Sequence, residues 1–108
     1  MSKSAGEAEL EFQLKAAKIE YEREYRFDLV RRWRFDFKIL DTYREKLAVE
    51  VEGGAFNGGH RRGINANKDC EKSNAAVMAG WKVLRFTPYM VETGEAIETI
   101  CAALGRDL

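Results

Sequence analysis

Three carboxylates interrupt the two most strand-like stretches of the chain. Asp36 lies between two phenylalanines in RRWRFDFKI, and Glu50 and Glu52 flank Val51 in LAVEVE. Both stretches alternate with the period of a β-strand. In the first, Trp33, Phe35, Phe37 and Ile39 oppose Arg34, Asp36 and Lys38; in the second, Leu47, Val49 and Val51 oppose Ala48, Glu50 and Glu52. The short polar connection DTYREK predicts an antiparallel hairpin. If the two apolar sets share a core face, the three carboxylates share the opposite one. Side chains two apart in a strand are separated by ~7 Å and neighbouring strands by ~5 Å, so the three acids could surround one small volume. Like charges that close are unfavourable unless a proton or a cation offsets them. A site of hard oxygens suits Mg²⁺ or Mn²⁺, which keep waters that a phosphate can replace. The alternative is a solvated sheet surface on which these acids pair with Arg34, Lys38 and Lys46.

The elements that must position these residues can be read along the chain. Residues 7–20 place Leu10, Leu14 and Ala17 at helical spacing, widened by Phe12, Ala16 and Ile19, which predicts an amphipathic helix. REYRFDL is a short strand candidate ahead of the two alternating stretches. After them, GGAFNGGHRRGIN has five glycines and no apolar periodicity, so it reads as a loop. A helix is expected over 66–79, stopped by Gly80. WKVLRFT is a fourth strand, ended by Pro88, and Thr93 could cap a last helix whose Ile97, Ile100, Cys101 and Leu104 form one face. The order is αβββαβα. Three antiparallel strands would be followed by a right-handed crossover through a helix to a parallel fourth. Residues 1–108 form a single domain, with helices on both sides of a mixed sheet.

Composition narrows the function classes. The chain has 108 residues, 45% apolar and 33% charged, enough for one packed core. It contains no apolar run of membrane-span length and no signal-peptide pattern, which predicts no membrane partner. Cys70 and Cys101 lack metal-ligand spacing, in keeping with a reduced, cytoplasmic setting. Net charge is zero, yet its distribution is uneven. Arg23, Arg26, Arg31, Arg32, Arg34 and Lys38 cluster in one stretch, and His60, Arg61, Arg62, Lys68 and Lys72 in another. Arg32, Arg34, Arg61 and Arg62 suit contact with nucleic-acid phosphates. His60, just past Gly58-Gly59, could activate a water or touch a phosphate.

The αβββαβ order, an aspartate on the second strand and Glu-x-Glu on the third together resemble the PD-(D/E)XK nuclease superfamily. RRWRFDF, LAVEVEGG and DCEKSNAAVMAGWKVLRFT are similar to segments of small phage and bacterial nucleases near the very-short-patch-repair and Holliday-junction resolvase branches. The resemblance covers nearly the whole chain. It implies a restriction-endonuclease-like core with an added C-terminal helix, and a Mg²⁺- or Mn²⁺-dependent endonuclease acting on DNA. Asp36 matches the motif aspartate and Glu50 the second acid, both metal ligands in such enzymes. Glu52 stands where many members have a lysine that orients water or stabilises phosphate charge. Some members recruit that lysine from the following helix, and Lys72 is the candidate here. Glu9 matches a first-helix glutamate that some relatives direct toward the metal, with Glu7 and Glu11 competing for the role.

Two other function classes compete with this expectation. One is a non-catalytic DNA-binding or recombination-accessory module that keeps the nuclease fold without the motif lysine. The other is a structural protein whose acids merely solvate a sheet. A nuclease that cuts both strands symmetrically would favour a homodimer.

Overall fold

A computed structural model of the protein describes residues 4–42, 46–52 and 64–106. The elements run α1 (Ala5–Ala16), β1 (Tyr21–Asp28), β2 (Trp33–Ile39), β3 (Lys46–Val51), α2 (Ile64–Met78), β4 (Trp81–Phe86), α3 (Pro88–Glu92) and α4 (Glu95–Ala103). The strands form one mixed sheet in the order β1-β2-β3-β4. β1 with β2 and β2 with β3 are antiparallel, and β3 with β4 is parallel. A parallel pair needs a crossover connection, and the segment carrying α2 supplies it. The expected α/β class with a mixed sheet is therefore the one observed.

Helices cover both faces of the sheet. Leu47, Val49 and Val51 of β3 pack with Leu10 and Leu14 of α1, Val91 of α3, and Ile97, Ile100 and Cys101 of α4. On the other side, Ala48 joins Phe35, Trp81 and Ala76 of α2 in a smaller cluster. β3 is thus buried on both faces, which accounts for the consecutive apolar residues Leu47, Ala48 and Val49. Among the described residues, no helix is long and apolar enough to cross a membrane.

Three expectations need correction. The first helix ends at Ala16, not near residue 20. Lys18 takes a positive φ of 57°, and the N–H groups of Lys18 and Ile19 donate to the carbonyls of Lys15 and Leu14. This end motif turns Ile19 back into the core from beyond the helix. Phe12, assigned to the buried face, is 67% exposed. At the other end of the chain, Pro88 opens a helix besides ending a strand, since its fixed φ suits a first helical position. Thr87 caps α3 by accepting from the Met90 N–H, while Thr93 closes α3 instead of starting α4. Gly94, with φ 90°, makes the turn between the two helices.

The third correction concerns β2. Its alternating aromatics do not share a face: Phe37 and Ile39 pack in the larger core, and Phe35 in the smaller one under α2. β1 divides the same way, with Tyr21 against the larger core and Tyr25 and Phe27 against the smaller. The partners Arg23–Phe37 and Tyr25–Phe35 bracket the change on both strands. Between them lie Glu24, with a positive φ of 52°, and Asp36. The strand pair rolls over at those two residues, so alternation across Asp36 misleads.

Candidate active site

Asp36 sits where β2 and β3 part. Their pairing runs from Ile39–Leu47 to Phe37–Val49 and ends there. One step further, Asp36 Oδ2 accepts a 2.8 Å hydrogen bond from the Val51 N–H. A side-chain carboxylate thus substitutes for a ladder carbonyl at the fork between the strands. Glu50, next to Val51 on β3, lies close enough for its charge to act on Asp36. On its other side, Glu50 is paired in register with Arg85 of β4.

Two cations serve this acidic row. Lys72 Nζ, on α2, donates to Glu50 Oε2 at 2.6 Å, and both side chains are largely buried. Arg23 of β1 donates to Glu7 Oε1 at 2.8 Å and to the Asp36 carbonyl at 3.2 Å, with its guanidinium over the Phe37 ring. Carboxylate oxygens of Glu7, Glu24 and Asp36 lie within 4.8 Å of one another. Exposed acids approach this closely in many proteins without any ion, and Arg23 also reaches Glu24 at 3.7 Å. Burial, more than any other influence, pushes the Asp36 carboxyl up to about 6. Glu7 and Glu50 push in the same direction, while the Val51 hydrogen bond and Lys72 oppose them. Beside Glu50 and Lys72 opens a cavity of about 240 Å³, lined also by Phe35, Ser73 and Arg85.

The candidate residues divide into three groups. Asp36, Glu50 and Lys72 come together. Glu52 and Glu9 do not join them. Glu52 accepts from Arg85 at 2.8 and 2.7 Å and is not among the charges that act on Asp36. That bond in turn raises the Arg85 pKa, and it gives the arginine in this strand a partner. Glu9 accepts from Gln13 Nε2 and faces a groove by Pro88 and Tyr89. Glu7, two residues earlier, is the first-helix acid beside Asp36. The displacement follows from helix geometry, since residues two apart face different directions. Arg34 is exposed and lies 3.8 Å from Glu24, and Arg32 occupies the β1–β2 turn with φ 63°. His60, Arg61 and Arg62 lie outside the described residues.

Arg23 is the functional candidate that sequence reading missed. Its signal was only that of one more basic residue in a basic stretch. Fold and site together define an α/β protein with a forked mixed sheet carrying a carboxylate pair and a helix-borne lysine. Comparison of the chain with protein-family models, with curated proteins and with solved structures finds no match.

Proposed function

We propose that the protein is a divalent-metal-dependent endonuclease that hydrolyses DNA phosphodiester bonds. The observation that carries this reading is the fork itself: Asp36 and Glu50 on adjacent strands, with Lys72 joined to Glu50. The residues fit a hard cation, because the three acids Asp36, Glu7 and Glu50 together carry more negative charge than the two cations Lys72 and Arg23 offset. Asp36 and Glu50 would hold Mg²⁺ or Mn²⁺. Such an ion, when bound, polarises a phosphodiester and lowers the pKa of an attacking water. Lys72 orients Glu50 and keeps a positive charge available for the charge that develops on the phosphate. Val51, through its N–H, fixes which Asp36 oxygen remains open. Glu52, held by Arg85, takes no part in this scheme.

A second reading, a DNA-binding module without catalysis, draws on the Lys72–Glu50 pair, which already satisfies one of the two acids. One experiment separates them. The protein is incubated with branched, mismatched, single-stranded and linear DNAs in Mg²⁺, Mn²⁺ or EDTA. The nuclease reading expects metal-dependent cleavage that Asp36→Asn and Glu50→Gln abolish. It also expects Lys72→Ala to cut turnover on the order of a hundredfold with DNA affinity retained. Binding without cleavage on every substrate would establish the module instead.

A further inference from the structure

The β1–β2 turn exposes what most proteins hide. Leu29 is 78% and Val30 90% exposed, side by side at the tip of the hairpin. This turn is firmly built. Asp28 Oδ1 accepts from the N–H groups of Val30 and Arg31, at 3.0 and 2.9 Å. The Asp28 carbonyl accepts from the Arg32 N–H at 2.9 Å, and Arg32 completes the turn with its positive φ. Behind the tip, the Arg31 guanidinium lies over Trp33, whose ring stacks on Phe27. Two aliphatic side chains are therefore presented on a rigid support.

Arginines surround them. Arg26, Arg31, Arg32 and Arg34 are all exposed, and Arg26 stands directly opposite Arg34 across the two strands. Like charges in that relation destabilise a sheet unless an anion lies over them. The acids nearby are already engaged: Asp28 holds the turn, and Glu24 lies near Arg23 and Arg34. These arginines extend along the hairpin toward the carboxylate fork instead of ringing the tip at one level. Such a row matches the repeating phosphates of a strand better than a flat layer of anionic headgroups.

We propose that the hairpin tip is a DNA wedge, in which Leu29 and Val30 enter a base step while the four arginines hold the flanking phosphates. Apolar side chains used this way unstack bases and bend the duplex. The inference rests on DNA being the ligand, as in the proposed function, but not on cleavage. It also sets a distance. Asp36 lies three residues into β2 from Trp33, roughly 10 Å of strand at ~3.3 Å per residue, and Val30 lies in the turn beyond Trp33. The strand part alone spans about three base steps at ~3.4 Å each. The wedge would act at least about three base steps from the bond at the fork.

The test uses the full chain in EDTA, which removes cleavage from the measurement, with duplexes carrying 2-aminopurine at successive positions. Wild type is expected to raise the fluorescence at one step, and the Leu29→Ser/Val30→Ser double variant to lose that signal. Affinity should fall roughly tenfold per aliphatic side chain, with the salt dependence unchanged because no phosphate contact is lost. Leu29→Met/Val30→Met should restore the signal. A serine variant that unstacks and binds like wild type overturns the proposal. So does a wild type that ignores DNA yet binds vesicles containing phosphatidylserine through the same residues. Cleavage of the same duplexes in Mg²⁺ is scored separately. Unstacking without cutting retires the nuclease reading alone, and cutting without unstacking retires the wedge alone.

Discussion

Asp36 uses one carboxylate for two purposes: it closes the strand fork through Val51, and it places negative charge beside Glu7 and Glu50. Holding that charge in a half-buried place, and next to other acids, costs stability. With its pKa raised from 3.8 to about 6, the folded protein binds a proton that the unfolded chain releases more readily. The stabilisation from that proton is complete below 3.8 and is lost as pH rises through about 6. Asp36→Asn keeps an oxygen for the Val51 N–H but never ionises. In EDTA, the variant should therefore be more stable than wild type above pH 6.5, by on the order of 1–2 kcal/mol once solvent screening at this half-buried site is allowed for. Its advantage should shrink toward zero near pH 4. Urea denaturation of both proteins at the two pH values measures this, and an advantage that does not change with pH would remove Asp36 as the titrating group.

Among the elements, α1 shows how a backbone sets the site. Gly6 lies against the sheet so closely that an added Cβ would come within 3.0 Å of Val51 Cγ1 and 3.4 Å of Pro88 Cβ. Val51 is the residue whose N–H binds Asp36, and Glu7 follows Gly6 directly, so this close approach delivers Glu7 to the fork. Alanine at position 6 gains ~1 kcal/mol of helix propensity. Overpacking against a buried, β-branched valine costs ~1–3 kcal/mol, and the steric loss should prevail. Gly6→Ala is expected to lower the urea midpoint and to push Glu7 away from Arg23. Equal or greater stability in the variant would mean that the helix shifts freely, and that its position does not depend on this contact.

At the scale of the whole molecule, one side chain joins distant parts of the chain. Arg106, just beyond α4, donates to Asp41 Oδ2 at 2.8 Å and to the Ala17 carbonyl at 3.1 Å. Asp41 Oδ1 in turn accepts from the Glu20 N–H. The exits of α1, β2 and α4 thereby meet at one guanidinium. Arg106→Ala should destabilise the fold by about 1–2 kcal/mol, since the Ala17 carbonyl and Asp41 Oδ2 both lose the donor it supplies. Arg106→Lys should recover only part of that loss, because a point charge cannot bridge two acceptors as a planar fork does. A thermal melt of the three proteins decides it; a lysine variant equal to wild type would reduce the clamp to a simple charge pair. The molecule has zero net charge, yet Arg23, Arg26, Arg31, Arg32 and Arg34 lie on one hairpin, and Glu7, Asp36 and Glu50 meet at the fork behind it.

Local physics made much of this fold legible from sequence. Strand β2 was delimited by its apolar alternation, and the end of α2 was marked by Gly80, which takes φ 89°. A helix between the third and fourth strands implied a mixed sheet, because only a crossover lets the third strand meet a parallel fourth. That Asp36 and Glu50 come from neighbouring strands followed from the hairpin alone, and their charges do act on one another. Period could not show the roll-over of β1 and β2, because alternation assumes a strand that keeps its faces. Phe35 and Phe37 lie in separate cores, one on each side of the sheet, because the strand pair rolls over between them. Nor could spacing choose between Glu7 and Glu9, or release Glu52 from the acidic group. Those outcomes depended on how closely Gly6 let α1 approach Val51, and on Arg85 arriving from a strand thirty-odd residues away in sequence. Periodicity and turn chemistry act between neighbours in the chain, whereas the partner of a charge is set by whichever surface packing brings against it.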